Sequence, residues 1–497
     1  MTRHPRVLLI SLAIVAASFA LKAPTAARLT RLTPDSAAYF NVSRNLAAGE
    51  GFVSTLKLRY TDLEHPELVE RAELVEEGVR HSALSDWPPV YPAFSAVVLK
   101  CGGDMRALQT ANALLVSISA GFVFLLGVRL FGMREGLLAG AAAALAPNLF
   151  RAGIVALSDA LGLTLALATI LIALGDRGAW KWLAAGLLAG AAALTRYPYA
   201  VVALALIGWA LTDRKSRGGA VACAAGFALA VGPVMVWQWL CTGCSPCRMQ
   251  TLHYYVRSFH EAMWNAGTTI DPFYALHHPG QVAVLCLRNT CFYASDLLIG
   301  PRGLCLLGLG LIAWAVARRG SPATREQKLV LAIAALGFAI HALTWSVPAV
   351  KGSRFMLLSY CLLLPFGMAG LMWQAKRHTR WAAGIVLALT GIVYGWGCVT
   401  ASSFAGTDFA LPNHVARAIT KSLPPGTNLA SDNPWVVNYS TGAPTALLPR
   451  DLDEKALARY IRDLNIGRIV LLGKRPHSAT ARSIGSRYPI QNPKSKI

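Results

Sequence analysis

Runs of apolar residues long enough to cross a bilayer recur along most of this chain, and they limit its fold more than any other feature. A helix needs roughly 20 apolar residues to span the hydrocarbon. Such stretches stand at 7–22, 107–130, 134–150, 157–174, 181–195, 197–212, 219–240, 298–317, 328–347, 355–373 and 381–400. Across 497 residues the chain is 55% hydrophobic and 14% charged, where a soluble domain carries about 25% charge. The pattern predicts a polytopic α-helical membrane protein with about eleven transmembrane helices.

The short connections carry the charge. "MTRHPR", "RLFGMR", "DRGAWK", "DRKSR", "ARRGSPATREQK" and "AKRHTR" are basic and fall at alternate turns. The positive-inside rule then puts the N-terminus in the cytosol and the C-terminus outside. The basic and apolar start has the features of a signal peptide and equally those of an uncleaved first span. The anchor is preferred, because the parity of spans works with it. The net charge of +22 belongs to this pattern. No basic stripe interleaved with aromatics appears, so nucleic acid is not an expected partner.

Three outer pieces are long: 23–106, 241–297 and the tail. In the tail, helical patterns in "NHVARAITKSL" and "DEKALARYIRDL" alternate with extended patterns in "TNLASD" and "GRIVLLG". The division expected is a membrane domain over 1–400 and a small extracytoplasmic α/β domain over 401–497.

In "LTPDSAAYF", Asp35 and Tyr39 stand at i, i+4, just past the first span. Asp35 has two readings: an N-cap for the helical run that follows, or a general base at the membrane surface, where lipid-linked and soluble substrates meet. Asp159 in "LSDAL" poses the same choice. Arg196 in "LTRYPY", and Lys351 with Arg354 in "VKGSR", are cations in outer positions and break the charge pattern. A phosphate or an Asp partner would explain Arg196. Tyr39 and Tyr197 are weaker candidates for lining a site. Cys241, Cys244 and Cys247, spaced like part of a zinc site, share their outer loop with Cys286 and Cys291. Oxidation is the simpler fate outside the cytosol, so disulfides with one thiol left over are expected. The acids Glu67, Glu70, Glu73 and Glu77 read as a solvated helix face.

The chain then shows an ordered series: "PDSAAYFNVSRNLAAGEGF", "WPPVYPAFSAVVLKCGG", "ALSDALGLTLAL", "GLLAGAAALTRYPYAVVALAL", "KGSRFMLLSYCLLLPFGMAGL" and "LPPGTNLASDNPWVVNYSTGAPTALLP". In this order it resembles the GT-C superfamily of membrane glycosyltransferases, nearest to bacterial relatives of protein O-mannosyltransferases and aminoarabinose transferase. The resemblance implies an inverting transferase of the plasma (inner) membrane. The sugar would pass from a polyprenyl-phosphate donor to a lipid, glycan or protein acceptor on the outer face. It implies Asp35 as base or acceptor-orienting group, Asp159 as a second acid, and Lys351, Arg354 and Arg196 as phosphate contacts. Ser36 stands where many relatives carry a second acid. A divalent metal is therefore left open, and no metal ligand is assigned. A lipid-linked polysaccharide ligase or polymerase, and a secondary transporter, are the alternatives. No repeated halves of the transporter kind are visible.

Overall fold

The computed structural model describes residues 5–28, 32–57, 78–83, 87–175, 178, 180–212, 216–242, 253–258, 271, 273–298, 305–318, 322–347, 354–378, 388, 391–392, 395, 411–449 and 452–472. The apolar runs fold as α1 (Pro5–Arg28), α4 (Met105–Leu130), α5 (Met133–Leu145), α7 (Ser158–Ala173), α8 (Trp180–Thr195), α9 (Ala200–Leu211), α10 (Arg217–Thr242), α12 (Cys305–Ala317), α13 (Arg325–Ala342) and α14 (Leu357–His378). Between them lie α2 (Pro34–Ala47), α3 (Val90–Lys100), the short α6 (Pro147–Gly153) and α11 (Pro279–Leu298). Among the described residues four helical stretches, 5–28, 105–130, 217–240 and 354–375, are each long and apolar enough to cross a membrane. The bent pair α6 and α7 makes a fifth if counted as one span. The run at 381–400 lies mostly outside the described residues.

The expected outer loop 241–297 is in part a helix, α11. Arg288, Asn289 and Asp296 interrupt its apolar residues, which hides it from a hydropathy window. Asn289, fully buried, donates to the carbonyls of Thr344 and Val347 at 3.2 Å each, beyond the end of α13. Cys286 and Cys291 sit on α11 as free thiols. Cys244, Cys247 and the side chain of Cys241 lie outside the described residues, as do Glu67, Glu70, Glu73 and Glu77.

The bundle core centres on α4, α5, α7 and α14, with Val123, Leu163, Ala166, Tyr360 and Phe366 buried. Small residues set the helix spacing, since lipid gives apolar faces no reason to pair and close packing must do it. A Cβ on Gly186 of α8 would collide with the Cys223 carbonyl of α10. One buried cation is satisfied internally. Lys22 Nζ donates to Ser18 Oγ at 2.7 Å and to the Ala144 carbonyl at 2.6 Å, in the last turn of α5. A cation suits the carbonyl end of a helix.

Beyond the bundle, the tail forms α15 (Asn413–Lys421), β4 (Asn428–Ser431), α16 (Pro434–Thr441), β5 (Thr445–Leu447), α17 (Glu454–Asp463) and β6 (Ile466–Val470). Its sheet is completed by the first loop. β1 (Val53–Ser54) pairs with β3 (His81–Ser82), while β2 (Leu56–Lys57) joins the tail strands in a parallel sheet of order β2-β5-β4-β6. The register sets Leu56 against Thr445 and Lys57 against Ala446. The first outer loop and the tail therefore share one sheet.

Buried amides clamp this joint. Asn41 Nδ2, on α2, donates to Thr55 Oγ1 at 2.7 Å and to Asn438 Oδ1 at 2.9 Å, and Asn438 Nδ2 donates to the Thr55 carbonyl at 3.2 Å. Replacing Asn438 by Leu would orphan buried groups at a cost of about 1–3 kcal/mol. Limited proteolysis of the folded protein should then cut the tail roughly tenfold faster than in the parent. An unchanged cleavage rate would mean that the clamp does not hold the tail.

Candidate active site

Asp35 is free of a capping role. Thr33 caps α2: its Oγ1 accepts from Ser36 N at 3.1 Å, and Ser36 Oγ accepts from Thr33 N at 2.6 Å. Pro34 opens the first turn, where its missing N–H costs nothing. Ser36, noted in the sequence for replacing an acid, is half of this capping box. Asp159 is likewise no cap, because Leu157 occupies that position and no side chain bonds the first turn of α7.

Asp159 owes its place to a break in a span. α6 and α7 meet at 116°. Residues 154–157 leave the helix, and their carbonyls need donors inside the protein. Two buried amides one turn apart on α4 supply them. Gln109 Nε2 reaches the Ile154 carbonyl at 3.0 Å, and Asn112 Nδ2 reaches those of Val155 and Leu157 at 2.8 Å each. The new helix thus starts with Ser158 and Asp159 beside α2.

Two arginines close on the acids. Arg196, at the end of α8, donates from Nη1 to Asp159 Oδ1. Arg354, just before α14, donates from Nη2 to Asp35 Oδ2, and its Nη1 lies 3.6 Å from Asp159 Oδ2. That oxygen is buried without a hydrogen bond. The four charges sum to zero. The Asp159 side chain is 2% exposed and that of Arg196 16%, whereas Asp35 and Arg354 are 29% and 32% exposed. One pair is sealed and the other open. Phe355 lies under both guanidiniums, 4.8 Å from Arg196 and 5.5 Å from Arg354, and stacks on His341 at 5.2 Å.

The aromatic wall comes from the first loop. Tyr39 hydrogen-bonds Ser158 at 3.0 Å, and packs at a tilt against Trp87 and edgewise on Tyr91, with ring centroids at 4.8 and 5.0 Å. Burial, and then the charge of Asp35, push the Tyr39 hydroxyl up to about 12. It stays neutral at any physiological pH and cannot serve as a base. Tyr91 donates to Asn112 Oδ1 at 3.3 Å, which links the wall to the span break.

The structure thus gathers Asp35, Asp159, Arg196, Arg354 and Tyr39. The partner of Arg196 is an acid. Tyr197 opens a short turn beside the site, but Tyr199 is the ring that lines the cavity with Asp159 and Arg354. Gly162 makes room for it: a Cβ there would stand 2.7 Å from Tyr199 Cε2. Lys351 lies outside the described residues. Tyr91, Asn112, Tyr199, His341 and Phe355 were not among the sequence candidates. Among the described residues no group of three or more His, Cys, Asp or Glu gathers. Both carboxylates are engaged by guanidiniums, a thin ligand set for a hard cation.

Comparison with known proteins bears on the fold. Residues 86–237 match the family described as dolichyl-phosphate-mannose-protein mannosyltransferase. A search of the curated proteins found no significant match. Among solved structures, ArnT from Cupriavidus metallidurans bound to undecaprenyl phosphate superposes with a TM-score of 0.59 at 14% identity, covering 98% of this chain and 95% of that one. Its apo state gives a TM-score of 0.62 at 13% identity, with the same coverage. The oligosaccharyltransferase AglB from Archaeoglobus fulgidus, in complex with an inhibitory peptide and a dolichol-phosphate, gives 0.61 at 10% identity over 94% of this chain and 69% of that one. Such identities establish a shared architecture, and this chain is a polytopic membrane protein with the GT-C fold that its motif order resembles.

Proposed function

We propose that this protein is an inverting glycosyltransferase that moves a sugar from a polyprenyl-phosphate donor to an acceptor on the outer face of the membrane. The observation that carries the reading is the meeting of Asp35 and Asp159 with Arg354 and Arg196 at one end of the bundle. The positive-inside pattern assigns that end to the outside, with the N-terminus cytosolic and the C-terminus extracytoplasmic. The lipid phosphates bound by ArnT and AglB suggest the donor class.

In the reaction, Asp35 takes the proton of the acceptor's nucleophilic atom as that atom attacks the anomeric carbon. The new glycosidic bond forms on the face opposite the departing phosphate, which inverts the configuration. The bond from carbon to phosphate oxygen breaks, and polyprenyl phosphate leaves with the electron pair. Negative charge grows on that oxygen, and preorganised cations at the spot stabilise it most. Arg354 is the reachable cation of the cluster. Arg196, sealed against Asp159, holds that acid and Phe355 in place. Lys351, three residues before Arg354, is proposed as a further phosphate contact. Tyr39 shapes the wall beside the base.

Removing a general base typically costs 10²–10⁴-fold in rate. Asp35→Asn should therefore lower transfer, followed as donor consumption by mass spectrometry, by roughly 10²-fold or more, while the variant keeps the parent's elution profile and unfolding midpoint. Parent-like turnover would remove Asp35 from the chemistry. Tyr39 makes a different forecast, because its hydroxyl ionises only near 12. Between pH 6 and pH 10 the rate profile of Tyr39→Phe should have the parent's shape, even if its height drops, since that hydroxyl does not titrate in this range. A limb that moves in the variant would give Tyr39 a proton-transfer role.

A further inference from the structure

The cluster contains a conflict. A donor phosphate needs a cation, and the acceptor needs a free carboxylate. Yet Arg354 and Asp35 are hydrogen-bonded to each other. The Arg354 Nη2 donor that holds Asp35 is one that a phosphate would need, and while it stays in place it fixes the orientation of the carboxylate. The cluster also has no net charge with which to draw an anion. Its two ion pairs differ in one respect that resolves the conflict. Asp159 is sealed, while Asp35 and Arg354 are each about a third open. Arg354 also has a second anchor, since its Nη1 stands 3.6 Å from Asp159 and its guanidinium lies over Phe355. If Asp35 lets go, Arg354 keeps its position and turns its free Nη2 to a new anion.

We infer that the donor's phosphate binds by exchange: it displaces Asp35 from Arg354, and this displacement is what frees Asp35 to accept the acceptor's proton. The inference rests on the glycosyltransferase reading and adds a regulation to it. Donor loading and release of the base become one event, so an acceptor that arrives first meets an Asp35 still held by Arg354. No atom changes hands in the exchange; one charge-assisted hydrogen bond replaces another of similar strength. Asp159 and Arg196 take no part, because neither is open enough to trade partners.

Exchange makes a quantitative demand. Asp35 must oppose phosphate binding through Arg354, and not only through its charge in space. Four full-length proteins separate the two: parent, Asp35→Asn, Arg354→Gln and the double variant, titrated with undecaprenyl phosphate in detergent and read by native mass spectrometry. Asparagine at 35 should tighten binding about tenfold in the parent background. Arg354→Gln should weaken binding at least tenfold, and asparagine at 35 should then change affinity by less than about threefold. An equal gain in both backgrounds would overturn the exchange, since a through-space effect does not need Arg354. A gain absent from both would overturn it too. If none of the four proteins binds the lipid, the donor assignment itself is wrong and the exchange goes with it. Unfolding midpoints of the four check that the comparison is among folded proteins. Where Arg354→Gln does not fold, Arg354→Lys replaces it, keeping the charge but losing the forked donor; the coupling should then shrink without vanishing.

Discussion

Charge neutrality in a dry place organises this molecule. Asp159 is almost wholly buried at the mouth of a helix bundle, where an uncompensated ion costs several kcal/mol. It is tolerable because Arg196 and Arg354 reach it, and Arg354 in turn reaches Asp35. Each of the four comes from a different segment: α2, the start of α7, the end of α8 and the turn before α14. Breaking a buried pair by removing one partner typically costs about 3–5 kcal/mol. The cluster therefore ties four distant stretches to one point, and the bundle has to be arranged so that they meet.

The bundle meets that demand with a fault in its regularity. A continuous span through 147–173 would hide its polar groups in its own helix. The bend of 116° exposes carbonyls, and Gln109 and Asn112 supply donors to them, while Lys22 supplies one to the end of α5. They make an irregular backbone possible at a depth where water does not. Their donors are what the sequence spends on placing a carboxylate at the start of a helix that faces the open end of the bundle.

Much of this was legible in the chain and some was not. Spans announce themselves by hydropathy, and Asp35, Asp159, Arg196 and Arg354 by charge in apolar surroundings. The N-cap alternative for Asp35 failed on a local detail: Thr33 and Ser36 form a complete capping box, so the acid is spare. Helix α11 was missed because Arg288, Asn289 and Asp296 dilute its apolar face. Asn112, Tyr91 and Phe355 carry no charge and sit in ordinary apolar stretches; their roles come from what lies opposite in space. Nor could spacing tell that Arg196 answers Asp159, a partner with two helices and their connecting turn between them.

The strand β2 has a consequence for how the protein comes into being. Leu56 and Lys57 leave the ribosome early, but their partners Thr445 and Ala446 follow hundreds of residues later. At about 5–20 residues per second, the first loop waits on the order of tens of seconds for the strand that completes its sheet. Until then its edge is unpaired and Asn41 lacks Asn438. The sheet is thus completed only when the tail arrives, and a chain truncated before β5 would leave β2 an unfinished edge, the kind of surface that quality-control proteases and neighbouring strands find first.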